Sequence, residues 1–376
     1  MLDRDFFVSK HDAKAENAFA LDDNIMVRGG LTTAGSKMLH NFISPLQATV
    51  VDRLLAAGME LAGKTKLDEF AVPGISEGTC DILSGAVGAV AEGVCKVALC
   101  NDVSGKVRRQ APQNGLYYIH PTYGSVSRFG LIPAVSSMDQ IGIVCKNIDD
   151  GFDTLGMIAG HDENDIMTFP EKSYAYAPKE GKFRIGIPSN VLEEADEKSK
   201  ELIYDFAGKH DAEETELKYF EVFSQVMYIL SSAEIGNNTS RYDGVKFGYR
   251  ADKFTGLNNL YTKTRTEGFG PDMKLLSVVG AYVLSKDNYE ACYLKSMKIR
   301  RLIREHANEL FSRFDAIILP IKLKDPDPYK NLALYAFATL CGLPSVSVPL
   351  GRNEGIQLVA QAKNENSLFG ICKGGR

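Results

Sequence analysis

Strand-like and helix-like segments interleave along the whole chain, and this pattern constrains the fold more than any other feature. Val97-Ala-Leu99, Phe183-Arg-Ile-Gly-Ile-Pro188, Ala316-Ile-Ile-Leu319, Ser345-Val-Ser-Val348 and Ile356-Gln-Leu-Val-Ala360 read as short apolar strands. Helical patterns lie between them. Ser44-Pro45-Leu46-Gln47 carries the signals of a helix start: a capping serine, a proline at the first position and a glutamine that closes a capping box. Val50, Val51, Leu54 and Leu55 would follow on one face, with Gly58 as the stop. The stretch from Ser84 to Gly93 is rich in Ala and Gly, so a helix there presents a small-residue face that packs close to a sheet. A charge-rich stretch from Pro188 to Glu216 reads as an exposed helix with its connections. Tyr289 to Phe311 reads as a long amphipathic helix with Lys and Arg on its wet face. Strands mixed with helices throughout predict an α/β fold with helices on both faces of a sheet.

A length of 376 residues allows two or three domains at roughly 150 residues each. No repeat, low-complexity tract or linker divides the chain. We therefore expect an N-terminal arm over residues 1–22 and a single domain over 23–376. The net charge of −5 argues against a broad electrostatic grip on nucleic acid, and the basic stretch from Lys295 to Arg304 reads as a solvated helix face. The longest apolar run, Val87 to Cys100, is interrupted by Glu92 and Lys96 and is too short to span a membrane. The N-terminus shows no secretory pattern. Seven cysteines without a C-x-x-C pair point to reduced thiols in a cytoplasmic protein, with no metal site and no cofactor expected.

Longer strings are more specific. They run in order from Asp23-Asn-Ile25, Ala34-Gly-Ser-Lys-Met-Leu39, Ala48-Thr-Val-Val51 and Gly63-Lys-Thr-Lys-Leu-Asp-Glu-Phe70. Next come His120-Pro-Thr-Tyr-Gly124, continuing to Ile132, and Ser136-Ser-Met-Asp-Gln-Ile-Gly142. Ser240-Arg-Tyr-Asp-Gly244, Phe247-Gly-Tyr-Arg250, Thr264-Arg-Thr-Glu-Gly-Phe-Gly270 and Gly342-Leu-Pro-Ser-Val-Ser-Val-Pro349 complete the series. In this order they resemble the amidase signature family, and within it the A subunits (GatA) of glutamyl-tRNA(Gln)/aspartyl-tRNA(Asn) amidotransferases. The resemblance covers about Asp23 to Leu368. It implies one α/β domain on a large mixed β-sheet, truncated here. Against such relatives we expect the chain to lack their N-terminal helical segment and about twenty residues after Phe70.

The family resembled hydrolyses amides with a Ser–cis-Ser–Lys triad, in which a lysine base activates a serine nucleophile through a bridging serine. The lysine directly precedes the Asp-Asn-Ile string, where this chain has Asp22. Counting back without gaps from Pro121, the bridging serine falls on Ile82 and the nucleophile on Lys106, within Cys100-Asn-Asp-Val-Ser-Gly-Lys-Val-Arg108. Ser104 replaces a glycine where the oxyanion turn is expected. The arginine that anchors the carboxylate of glutamine is replaced by Leu275 and Leu276, and the aspartate that anchors its amino group by Leu332. No catalytic residue of the triad is then intact, so the resemblance implies a non-catalytic A-like scaffold. Its candidate partners are GatB-like, GatC-like or GatA-like proteins or a second copy of the chain.

Two other readings compete. An active amidase or amidotransferase A subunit would need a rearranged site, with Cys80, Cys100 or Ser104 as nucleophile and His120 nearby in sequence. A binding module would use Lys106, Arg108 and Arg109 as a candidate anion or RNA-phosphate site. The plainer expectation is that these cations pair with Asp22, Asp81 or Asp102, and that a Lys106–Asp22 bridge plugs the old site.

Overall fold

The computed structural model describes residues 5–72 and 82–374. Among the described residues eleven strands form one mixed sheet: β1 (Phe7–Lys10), β2 (Ala18–Asp22), β3 (Glu60–Thr65), β4 (Val97–Asn101), β5 (Tyr117–His120), β6 (Ile141–Cys145), β7 (Arg184–Pro188), β8 (Asp211–Thr215), β9 (Ala316–Pro320), β10 (Ser345–Gly351) and β11 (Glu354–Val359). Helices among the described residues are α1 (Thr49–Ala56), α2 (Gly85–Ala91), α3 (Lys106–Gln113), α4 (Ile148–Ile158), α5 (Ser189–Leu192), α6 (Glu197–Ala207), α7 (Phe223–Asn238), α8 (Gly256–Gly268), α9 (Pro271–Val283), α10 (Lys295–Arg313), α11 (Pro328–Cys341) and α12 (Glu365–Gly374).

The strand order is β1-β3-β2-β4-β6-β5-β10-β11-β9-β7-β8. The centre, from β4 through β9, is antiparallel. Both flanks contain parallel pairs: β2 lies parallel to β3 and β4, and β7 to β8 and β9. Parallel neighbours require crossovers, and α1, α2 and α6 supply them.

Of residues 1–22, expected as an arm, two described segments contribute strands to this sheet. β1 is an edge strand, but β2 sits between β3 and β4 with all five residues buried. Alternation explains its place. Phe19 and Leu21 face one apolar layer with α1 and α4, whereas Ala18 and Ala20 face the other with α2. The Gly/Ala-rich α2 packs as its composition predicts: a Cβ on Gly88 would lie 2.3 Å from the Phe6 ring.

The first helix departs from its expected start. Ala48, not Ser44, occupies the N-cap position. Ser44 closes a local turn instead, donating to the Leu46 carbonyl at 2.7 Å, and Gln47 donates to Asp52 at 2.7 Å. Leu55 is 45% exposed rather than part of the core. The Pro188–Glu216 stretch holds α5, α6 and also β8, whose sequence Asp-Ala-Glu-Glu-Thr shows no apolar alternation. β8 is an edge strand, and its acidic side chains discourage further pairing.

Candidate functional site

The turn between β4 and α3 is built around Asp102. Its carboxylate accepts the backbone N–H groups of Gly105, Val107 and Arg108 at 3.0–3.1 Å, serving the otherwise unpaired donors of the helix start. Arg108 closes on the same carboxylate, with Nε at 3.1 Å from Oδ2. Its remaining donors reach the carbonyls of Asp102, Val103 and Tyr335 and the Thr339 hydroxyl. Arg108 is fully buried. Gly105 is required here: its φ is +90°, and a Cβ would lie 2.0 Å from Cγ of Tyr335.

Asp22, Ile82 and Lys106, the three positions expected as triad equivalents, all line one cavity of about 170 Å³. Their partners differ from expectation. Lys106 Nζ donates to both oxygens of Asp68, at 2.8 and 2.7 Å, and Asp22 accepts from the Thr65 hydroxyl at 2.9 Å. The bridge is therefore Lys106–Asp68 rather than Lys106–Asp22. Asp68 sits just before two non-glycine residues with positive φ, Phe70 at 56° and Ala71 at 59°, and its neighbour Glu69 is tied to Ser36 and to the Gly270 N–H. Ile82 is 64% exposed. Gln110 joins the rim to α3, donating to the Ile82 carbonyl at 3.0 Å and accepting from the Ser84 N–H at 2.9 Å.

Burial holds the Asp22 carboxyl well above the usual carboxylate range, and the nearby charges of Asp68, Asp102 and Asp23 add to this against the Thr65 hydrogen bond. Asp68 is also raised by burial, opposed by Lys106.

A second cavity, of about 80 Å³, lies on the other side of Lys106. Leu275 and Leu276 of α9, Leu332 of α11 and Arg109 of α3 line it together with Met227 of α7 and Tyr335 of α11. All three positions expected to have lost substrate anchors thus meet in one place. The three cations of the expected anion site do not. Arg108 is locked inside the fold, Lys106 is held by Asp68, and of the three only Lys106 and Arg109 reach the second cavity.

Among the described residues the alternative nucleophiles have no hydrogen bond to His120. Cys80 and Asp81 lie outside the described residues. Cys100 is fully buried, and its thiol is pushed far up by burial and by Asp22 and Asp102. His120 is fully buried with neither ring nitrogen bonded, and burial and Arg108 push its imidazole far down. The Ser104 hydroxyl is buried without a hydrogen-bond partner. The Ser240–Gly244 motif is satisfied locally: Arg241 donates to the Asn238 carbonyl at 2.7 Å, and Arg265 to the Thr239 carbonyl at 2.7 Å. Among the described residues no helix is long and apolar enough to cross a membrane. Sequence reasoning missed Asp68 and Gln110 as members of the site. Asp68 stands in the string from Gly63 to Phe70, but nothing in that string signals that a lysine 38 residues on would reach it.

Residues 18–78 and 84–369 match the family described as Amidase. The A subunit of the glutamyl-tRNA(Gln) amidotransferase of Lachnospira eligens is 35% identical over 399 aligned positions, covering 93% of this chain and 82% of that protein. Its counterpart from Nitrosomonas europaea is 36% identical over 407 positions, covering 94% and 81%. Both alignments are longer than the chain itself, so the relatives carry internal residues that this chain lacks. Among solved structures, the counterpart from Thermotoga maritima superposes with a TM-score of 0.78 at 28% identity, covering 98% of this chain and 86% of that one. A peptide amidase from Stenotrophomonas maltophilia shares the fold, with a TM-score of 0.77 at 24% identity over 95% and 81% of the two chains.

Proposed function

This chain belongs to the amidase family, and on that premise we propose that it is a pseudoenzyme, a GatA-like scaffold without amide hydrolysis. One observation carries the reading: Lys106, expected at the nucleophile position, has its amine held by both oxygens of Asp68. An ammonium in an ion pair has no lone pair with which to attack a carbonyl. The rest of the pocket supports this. Asp22 stands where the family's lysine base is expected, and Ile82 has no proton to relay. Ser104 replaces a glycine where the oxyanion turn is expected. The family match also breaks at residues 79–83, where the resemblance puts the shortened loop.

A retained scaffold implies a role in assembly. Relatives of this chain are named as subunits of an amidotransferase. GatB-like or GatC-like proteins, an intact GatA-like chain or a second copy are the partners this reading favours, in the cytoplasm. Residues 23–376 act in it as one domain, with residues 18–22 completing its sheet.

The test is ammonia release from glutamine, asparagine and simple amides by the purified protein, with an active family member as control. No release above background is expected. Turnover that is lost on changing Cys80, Cys100 or Ser104 would replace this reading with a rearranged active site.

A further inference from the structure

We infer that the cavity between α3, α7, α9 and α11 is a binding site for a small uncharged apolar molecule, an aromatic ring or a branched aliphatic chain. The inference rests on the proposed loss of amide hydrolysis, in which leucines stand where charged anchors once held a polar substrate. It goes further by assigning a ligand class to the space those leucines create.

The wall chemistry selects that class. Val103, Met227, Leu275, Leu276 and Leu332 present apolar surface, and Tyr335 presents its ring. Three polar groups in the lining are turned to other work, while the Ser104 hydroxyl is left without a partner. Asn331 donates to the carbonyls of Asp325 and Asp327 at 2.7 and 2.9 Å and accepts from the Leu323 N–H at 2.8 Å. The Tyr335 hydroxyl donates to the Ile321 carbonyl at 2.5 Å. The Ser231 hydroxyl lies 3.8 Å from the Met138 sulfur. Ser104 can serve one hydrogen bond, so a ligand with several polar groups would bury the others without partners, which costs binding.

Charge points the same way. Arg109 and Asp272 line the cavity with opposite signs, and Lys106 is neutralised by Asp68. The site thus has no surplus charge for an anion or a cation. Size sets the remaining limit. The volume of about 80 Å³ is several times the ~10–15 Å³ that one water needs, yet too small for a docking helix. Leu275, at 43% exposed, stands at the cavity with apolar surface that an occupant would cover.

The test uses fluorobenzene as probe and the full chain, read by ¹⁹F NMR, with toluene as competitor. A saturable shift that toluene reverses is expected. Leu275→Asp and Leu332→Phe, the first adding charge and the second filling the space, should each weaken binding about tenfold or more. Leu302→Ser, at an exposed site on α10, should leave it unchanged, and circular dichroism checks that each variant folds. No saturable shift, equal affinity in both cavity variants, or displacement of the probe by glutamine would overturn the inference. Ammonia release from glutamine in the same samples overturns the pseudoenzyme reading instead, so the two failures are distinguishable.

Discussion

Two ion pairs leave the first turn of α3 two residues apart, and they differ in almost every respect. Arg108–Asp102 has 0% and 2% of its side-chain surface exposed, and backbone donors and carbonyls surround it. Lys106–Asp68 has 7% and 20% exposed and separates two cavities. The first pair shapes the turn, because Asp102 satisfies the helix start and Arg108 clamps α11 through Tyr335 and Thr339. The second occupies the place where the family's chemistry is expected. Scaffold and site therefore lie side by side in one sequence string, and they can change independently.

The largest expected effect is on the buried pair. Arg108→Met leaves the Asp102 carboxylate and the Thr339 hydroxyl buried without a cation, and should cost about 3–5 kcal/mol in urea unfolding. A loss below ~1 kcal/mol would mean that this pair does not hold the turn. Gly105→Ala should follow at about 3 kcal/mol, since it forces a positive φ on alanine and drives a Cβ into Tyr335.

Lys106→Met should cost only about 1 kcal/mol, because Asp68 sits beside a cavity and can take up a proton once its partner is gone. If this variant falls as far as Arg108→Met, the contrast between the pairs disappears. The smallest effect concerns Asp22, and its sign follows from its raised folded pKa. Its contribution to stability is complete below the unfolded value near 3.8 and is lost as pH rises through the folded value. Asp22→Asn keeps an acceptor for Thr65 and escapes that loss. Its thermal stability relative to the parent should therefore rise with pH across that window. A pH-independent difference would show that the carboxyl is not held protonated.

Much of the fold was legible because local patterns and tertiary packing agree. Small residues in α2 announce a close approach to the sheet, and the helix does approach it, whereas β2, expected in an arm, lies inside the sheet. β8 was illegible because an exposed edge strand has no buried face to impose alternation. Ser44 misled because a serine-proline signal fits a tight turn as well as a helix cap. At the site, Asp22, Ile82 and Lys106 line one cavity and Leu275, Leu276 and Leu332 another. Which carboxylate would take the lysine was not legible, since Asp22, Asp68 and Asp102 all stand near it.

The sequence by itself determined the family, the interleaved α/β architecture and the residue types at the expected catalytic and anchor positions. Those follow from identities and spacings, which need no coordinates. Only the tertiary structure decided the ionic partners and the state of Asp22. Burial, not position in the chain, raises that carboxyl, and the strained loop at Phe70 and Ala71 carries Asp68 to Lys106. Pairing among charges depends on distances of a few ångströms between segments far apart in sequence, and folding alone sets those distances.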